Sequence, residues 1–300
     1  MRMKKIAIVA MAIGCTLFLK KDVYASTDYV IKQDGSGDFV SIQEGVDAAE
    51  DGDTLVIFPG IYYENVEIFQ KTVNLLGTDP QKCIIEYDTH AYDKVPLYIS
   101  AGEVCNLTIY GRMRDSQNYE MGTLMEGNRF TGYAVHIDSD YEYGKDLVFR
   151  NCILVSDNNL TVGLGCRGNS HITFEDCDLI HTRAYMPFGM HDSQNPDYTG
   201  SAKISFINTR FANAGYPVFF RVWSISEENW TELEFQNTEF AVVQLEGDYF
   251  TNGYDWEERC SRLSLEPCNL EFWDTIQYNQ YEGKVDNDFL NENSFSIIEK

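Results

Sequence analysis

The sequence is short of positive charge. It carries 23 lysines and arginines against 47 aspartates and glutamates, which gives a formal net charge of −24. Such a surface repels nucleic acid and anionic membranes, so both are excluded as main partners. It also repels a polyanionic polysaccharide, unless calcium bridges the two or the carboxylates of the polymer are masked.

A long apolar run is also missing. The run at residues 6–19 follows a basic start and is too short for a comfortable membrane span. Val23 and Ala25 supply small residues at the two positions that a signal peptidase recognises. Residues 1–25 are therefore predicted to be a secretory signal, and the rest is expected outside the cell. In the alternative, Cys15 carries a lipid and anchors the chain.

The cysteines do not form a closed disulfide framework. The chain has eight, and removal of Cys15 with the leader leaves an odd number. Cys260 and Cys268 lie close enough in sequence to pair. No CxxC pair or Cys/His cluster with zinc spacing occurs, so no metal and no cofactor is expected. Burial as small hydrophobes is predicted for Cys83, Cys105, Cys152 and Cys177.

Four segments in the middle of the chain resemble one another. They are LVFRNCILVSDN, ITFEDCDLIHTR, ISFINTRFANAG and LEFQNTEFAVVQ, and their phenylalanines are Phe149, Phe174, Phe206 and Phe235. Each has Phe, any residue, Asn or Asp, then Cys or Thr. Apolar residues alternate within each unit, as in a strand. The segment VCNLTIYG fits the same frame, with Val104 in the Phe place and Asn106 in the Asn place.

A unit of this length cannot bury its own apolar face, but stacked units can. The repeat therefore predicts a parallel β-helix whose strands pair with the same strand of the next coil. Its interior should hold a Phe/Val column and a Cys/Thr column, with an Asn/Asp ladder at a corner where the backbone bends. An antiparallel sandwich is the alternative.

The segment before the repeats predicts a lid on the stack. Residues 41–49 form a short amphipathic helix, with Ser41 and Glu44 as a capping box. A strand at 54–58 follows. Three apolar residues fall on one helical face and would plug the open end of the stack: Ile42, Val46 and Ala49.

The remaining polar segments are assigned to lateral loops of one domain, residues 26–300. The domain is expected to be a monomer, with an acidic tail at 275–300 that wraps the stack or is loose. The predicted loops are residues 111–131, 184–201 and 246–268.

The stretch DGSGDFVSIQEGVDAAEDGDTLVIFPGIYYENVEI, followed by VNLLGTDPQKCII, resembles the N-terminal region of pectinesterases. This resemblance implies an all-β, right-handed parallel β-helix with an N-terminal α-helical cap. It also implies metal-free hydrolysis of a galacturonate methyl ester. In the family, one aspartate attacks the carbonyl and a second acts as acid and base. Glutamines stabilise the oxyanion, an arginine holds the nucleophile, and aromatic rings stack on the sugars.

The family motifs carry over only in part. The strand Gly-Gln-Ala-Val-Ala-Leu matches residues 132–137, so Tyr133 replaces a glutamine. The family's general acid matches Asp157 after a shift of one or two residues. In the alternative, Asp157 is only a turn residue. The nucleophilic aspartate has no counterpart around Tyr185. Arg221 and Trp223 match the arginine and tryptophan of a later motif, or serve as a surface ion pair and a packed side chain.

The resemblance and the residues together define a candidate groove. It spans residues 133–138, 157–160, 184–192 and 219–223. Strand alternation leaves two registers open: His136 and Asp138 face outward, or Tyr133 faces outward and His136 inward. His181 and His191 are expected to be solvated loop residues. The predicted catalytic residues are Asp157 and Arg221, and the predicted substrate-binding residues are Tyr133, His136, Asp138, Tyr185 and Trp223.

Three functions are compatible with these residues. The first is a secreted pectinesterase-like enzyme acting on a pectin-type polysaccharide. The second is an inactive glycan-binding or surface module, which the absent nucleophile favours. The third is a calcium-dependent polysaccharide lyase using Asp138, Asp140 and Glu142.

Overall fold

The structure is a computed structural model. It describes residues 26–68, 70–88, 95–112, 133–138, 146–156, 160–166, 170–181, 187–192, 201–214, 220–223, 230–245, 263–267, 272–276, 281–285 and 295–299.

The described residues form one helix and 25 strands. The helix, α1, is Ile42–Ala48. The strands are β1 Asp28–Ile31, β2 Thr54–Ile57, β3 Gly60–Tyr63, β4 Val66–Glu67, β5 Asn74–Gly77, β6 Cys83–Asp88, β7 Leu97–Ile99, β8 Gly102–Cys105, β9 Thr108–Arg112, β10 Val135–Asp138, β11 Asp146–Arg150, β12 Ile153–Ser156, β13 Val162–Cys166, β14 Ser170–Glu175, β15 Asp178–His181, β16 Phe188–Asp192, β17 Ser201–Ile207, β18 Arg210–Ala214, β19 Phe220–Trp223, β20 Trp230–Gln236, β21 Glu239–Leu245, β22 Leu263–Pro267, β23 Phe272–Ile276, β24 Tyr281–Val285 and β25 Phe295–Glu299.

These strands assemble into three long sheets. The first sheet has the order β1-β2-β5-β8-β11-β14-β17-β20-β25, the second β3-β6-β9-β12-β15-β18-β21-β22, and the third β4-β7-β10-β13-β16-β19-β23-β24. In the repeated part each coil gives one strand to each sheet, and neighbouring coils pair in parallel. The predicted parallel β-helix is confirmed. Two antiparallel pairs, β21 with β22 and β23 with β24, depart from the repeat near its C-terminal end.

The predicted phenylalanine column is present in the core. The pairings Phe149–Phe174, Phe174–Phe206 and Phe206–Phe235 are all in register. Their ring centroids lie 5.0, 5.2 and 5.3 Å apart, with the planes within 13° of parallel. Val104 pairs with Phe149 and continues the column. Residues about 30 apart in the chain therefore stack as neighbours.

The Cys/Thr column lies beside it and is held by a repeated hydrogen bond. Cys177 Sγ donates to the Phe149 carbonyl at 3.5 Å, and Thr209 Oγ1 donates to the Phe174 carbonyl at 3.0 Å. Burial raises the pKa of the Cys177 thiol well above its ordinary value. All four cysteines predicted to be buried are buried and free.

The Asn/Asp ladder occupies the corner between the first and second sheets. Its members all have positive φ, between 49° and 55°. Asparagine and aspartate tolerate this left-handed conformation better than most residues. The corner residues are Asn106, Asn151, Asp176, Asn208 and Asn237.

Helix α1 closes the N-terminal end of the stack, as predicted. Ile42, Val46 and Ala49 are buried in the main core cluster. Ser41 caps the helix by accepting from the Glu44 amide. The reciprocal carboxylate comes from Glu64, which accepts from the Ser41 hydroxyl and the next two amides; the prediction that Glu44 would reach back is wrong.

Several predicted boundaries need correction. Strand β1 precedes the helix, so the strand at 54–58 is the second of the first sheet. The predicted loop 184–201 contains β16, and 246–268 contains β22. Loop 111–131 begins inside β9, and its remainder lies outside the described residues. The tail contributes β24 and β25, and β25 pairs in parallel with β20.

Candidate functional site

The candidate site lies on the outer face of the third sheet. Val135 and Ile137 are buried in the core, so the alternate positions of β10 face outward. His136 is one of these positions, which resolves the register that alternation left open. Parallel pairing aligns five positions across five coils, here called the outer column: Tyr98, His136, Gly163, Gly189 and Arg221.

Two tyrosines cover His136. The ring of Tyr98 meets the imidazole edge-on at 5.0 Å between centroids, and the ring of Tyr133 does so at 5.6 Å. As a result His136 is 6% exposed and Tyr133 is 3% exposed. Tyr133 therefore accompanies His136 on the outer face instead of replacing it. The reason is that Ala134, between Tyr133 and β10, lies in a bend and is itself in the core.

A glycine makes room for Tyr133. A Cβ built on Gly163 would come within 2.5 Å of Tyr133 Cε2 and 2.6 Å of Cδ2. The ring thus lies on the backbone of the next coil, at a place that any larger residue would fill. Gly163 and Gly189 are adjacent in the outer column and have no side chains, so the backbone itself forms the surface there; we call this surface the glycine floor. The Tyr133 ring covers its Gly163 end.

A second set of outward positions runs beside the outer column. Asp138 pairs with Gly165, Gly165 with His191, and His191 with Trp223. The backbone register therefore brings three predicted or suspected site positions into one line, although they are far apart in the chain. His191 lies in β16 and not in a loop.

The other predicted residues divide into two groups. Arg221 and Trp223 are in β19, where they pair in register with Gly189 and His191 of the preceding coil. Asp157 and Tyr185 lie outside the described residues. Asp157 follows directly on β12, which ends at Ser156.

A buried polar cluster at the corner of the second and third sheets was missed from sequence. Ser156 and His181 pair in register in adjacent coils, and both are 0% exposed. Thr161 is also fully buried and donates to the Ile180 carbonyl at 2.7 Å. The expectation that His181 is solvated is wrong. The sequence feature that indicates its burial is its position within a repeat unit, where it is the last residue of a strand.

A thiol nucleophile is not supported in this part of the stack. Burial raises the pKa of Cys177, as described, and burial together with nearby Glu103 raises that of Cys105 to about 12. Nucleophilic cysteines need a lowered pKa and access to substrate.

Within the described ranges, no three His, Cys, Asp or Glu side chains are grouped so that they could hold a metal ion. Asp140 and Glu142, two of the three residues considered for calcium, lie outside those ranges. Among the same described residues, no helix has the length and apolar character needed to cross a membrane.

Comparison with known proteins gives two matches in sequence. Over 168 residues the chain is 45% identical to probable pectinesterase/pectinesterase inhibitor 17 of Arabidopsis thaliana, covering 51% of this chain and 32% of that protein. Over 172 residues it is 25% identical to a pectinesterase of Daucus carota, covering 51% of this chain and 52% of that protein. The matched part of the chain thus spans about a third of the first relative and about half of the second. No family model matches it.

Comparison of structures supports the architecture. The rice weevil pectin methyl esterase superposes with a TM-score of 0.51 over 92% of this chain and 88% of that one, at 12% identity. The fold and the register of the outer column define the class: a right-handed parallel β-helix with an N-terminal helical cap, as predicted. The chain is thus similar to pectinesterases in sequence over about half of its length, and to a pectin methyl esterase in fold.

Proposed function

We propose that this protein is secreted and hydrolyses methyl esters of a pectin-type polysaccharide at the outer column. The observation that carries this proposal is the alignment of His136, Gly163, Gly189 and Arg221 on one face, in a chain with substantial identity to a pectinesterase. A glycan lying along the stack axis would meet one position of the column per coil, at a spacing of about 4.8 Å.

Each predicted residue has a role in this scheme. Asp157 takes a proton from the water that attacks the ester carbonyl and returns it to the departing methanol. Arg221 stabilises the negative charge that develops on the carbonyl oxygen. Tyr185 and Trp223 contact the sugar rings and Asp138 binds their hydroxyl groups. Tyr133 and His136 are buried and pack beneath the binding surface, where they support it. The water replaces the aspartate nucleophile, which has no counterpart in this sequence.

Methanol release from highly methylated pectin tests the proposal. The wild-type protein should release methanol, and Arg221→Ala should reduce the rate by about a hundredfold or more, since oxyanion donors contribute at that level. Lys82→Ala is a suitable control because Lys82 is an exposed cation that pairs with Asp79 directly before β6, a strand of the second sheet. Equal rates for wild type and Arg221→Ala would contradict the proposal.

A non-catalytic glycan-binding module is the second candidate. It is favoured by one observation, the Tyr133 ring that covers the Gly163 end of the glycine floor. This function requires binding of methylated oligogalacturonate, measured by titration calorimetry, without methanol release. Methanol release that depends on Arg221 would exclude it.

A further inference from the structure

A separate depression lies on the outer face of the first sheet, away from the outer column. It has a volume of about 290 Å³, and every residue that lines it belongs to β11, β14 or β17. Its floor consists of short side chains in register across three coils: Val148, Thr173 and Ser205. We call this feature the axial trough, because the register carries it along the axis of the stack.

Taller side chains form the walls of the axial trough. On one side Asp146, His171 and Lys203 occupy register positions in the same three strands. Beyond the lining residues, on the same sheet face, Arg150 pairs with Glu175 at 2.8 Å and with Glu103.

The register column that forms the floor of the trough continues into a carboxylate in the coil before it and in the coil after it. Glu103 precedes Val148, and Glu234 follows Ser205. The trough itself spans three coils, roughly 10–15 Å at the ordinary strand spacing.

Two close side-chain pairs lie at the trough. His171 Nδ1 lies 3.3 Å from Asp146 Oδ1, and Lys203 Nζ lies 3.1 Å from Glu234 Oε2. Carboxylates outnumber the arginine and lysine, and the whole chain carries −24. An anionic ligand would therefore be repelled. Asp146 is largely exposed and retains acceptor capacity. The Thr173 hydroxyl lies beside the apolar Val148, and the Ser205 hydroxyl in the next coil donates to Glu234 Oε2 at 3.2 Å.

We propose that the axial trough binds a neutral, polyhydroxylated sugar residue, as a second anchoring site for the polymer. Sugar hydroxyls both donate and accept, which suits a mixture of carboxylate, hydroxyl and ammonium groups beside one apolar contact. The identity of the polymer rests on the proposed function. The sugar must be neutral, as in a fully methyl-esterified galacturonate, whereas the de-esterified acid is disfavoured by the surrounding carboxylates.

Methyl-detected NMR titration of the full chain tests this directly. Val148 and Ile172 line the trough and supply reporter methyl groups. Fully methyl-esterified trigalacturonate should shift the Val148 resonances saturably, and de-esterified trigalacturonate should bind about tenfold more weakly or worse. Absence of a saturable shift, or tighter binding of the de-esterified trimer, would overturn the proposal.

Two variants and a matched control locate the effect. Thr173→Trp fills the trough and should weaken binding about tenfold or more, and Thr173→Val, which removes only the hydroxyl, should weaken it by a smaller factor. Leu76→Trp places the same side chain on the same sheet, at a residue already 37% exposed and outside the trough, and should bind like wild type. If both Thr173 variants bind like wild type, the site is elsewhere.

The outcome is separable from that of the esterase proposal. Methanol release from the short trimer is expected to be unchanged in Leu76→Trp, because Leu76 lies outside both the trough and the outer column. A saturable Val148 shift without methanol release would support sugar binding in the trough and contradict the esterase proposal. Methanol release without any shift at Val148 would support the esterase proposal and contradict sugar binding in the trough.

Discussion

The ring of Tyr133 lies on the backbone of Gly163, so closely that a Cβ there would come within 2.5 Å of Tyr133 Cε2. This contact joins two consecutive coils at the outer column and buries His136 beneath its edge. It also fills the place where an open glycine floor would otherwise begin. The pair therefore matters both for stability and for the space available to a ligand.

Gly163→Ala should destabilise the protein by about 1–3 kcal/mol, because the added methyl group must displace the Tyr133 ring. In a Tyr133→Ala background the same change should cost much less, since the obstructing ring is gone. Urea unfolding of the four proteins of this double-mutant cycle measures the coupling. Additive effects within about 0.5 kcal/mol would show that the two residues do not interact as described.

Asp176→Asn should stabilise the protein by about 0.5–1.5 kcal/mol. In the corner ladder Asn151 Nδ2 donates to Asn106 Oδ1, and Asn208 Nδ2 donates to Asp176 Oδ1. A carboxylate at 176 cannot donate onward to Asn151, so the ladder is interrupted at this step. An asparagine would complete it and keeps the tolerance for φ near 54°.

Asn208→Asp is the matched control for the ladder. It removes the donor to Asp176 and places two carboxylates in adjacent coils, so chemical unfolding should show a loss of stability. The ladder account is wrong if Asp176→Asn and Asn208→Asp change stability in the same direction.

Glu64→Ala should destabilise the cap by about 1–3 kcal/mol. The Glu64 carboxylate accepts from Ser41 Oγ at 2.8 Å and from the Ile42 and Gln43 amides at 3.1 and 2.9 Å. Glu44→Ala serves as the control, because Glu44 contributes only its amide to the cap and should change stability by under about 0.5 kcal/mol. Thermal unfolding compares them; equal losses would refute the role assigned to Glu64.

Cys177→Thr should fold normally. Its free energy of unfolding should fall less steeply than that of the wild type as the pH rises above 9. Thr209 and Thr238 occupy the same column and donate to carbonyls in the same way. Burial raises the pKa of Cys177 above its reference value of 9.0, so above pH 9 the unfolded chain loses a proton that the folded chain keeps. Stability from this group is therefore present below pH 9 and falls as pH rises further.

The measurement is the free energy of unfolding of wild type and Cys177→Thr between pH 7 and pH 10. The difference between the two should shrink or change sign in favour of the variant above pH 9. Tyr62, whose pKa burial raises to about 12, and Cys105 contribute equally to both proteins and cancel. A constant difference across this range would contradict the linkage.

The repeated parts of the fold were predictable because each coil has the same sequence pattern of apolar and turn residues. The phenylalanine anchors and the asparagine corners recur in sequence, and stacking converts that recurrence into columns. Strand β1 has no such partner in sequence. Strand β16 was hidden because Gly189 interrupts the alternation expected of a strand.

The site was harder to predict because its geometry depends on contacts between coils. The bend at Ala134 places Tyr133 and His136 on the same face, which simple alternation cannot express. Glu64 reaches the helix start from more than 20 residues away, beyond any local capping motif. His181 is the last residue of its strand and directly precedes a long polar segment, so the sequence pattern alone places it in a loop.

The most direct test of the central claim is a crystal structure with fully methyl-esterified hexagalacturonate. The account predicts a sugar chain along the outer face of the third sheet, crossing Gly189 between His136 and Arg221, with an ester group within hydrogen-bond distance of the Arg221 guanidinium. A chain bound elsewhere, leaving these three residues without contact, would contradict it.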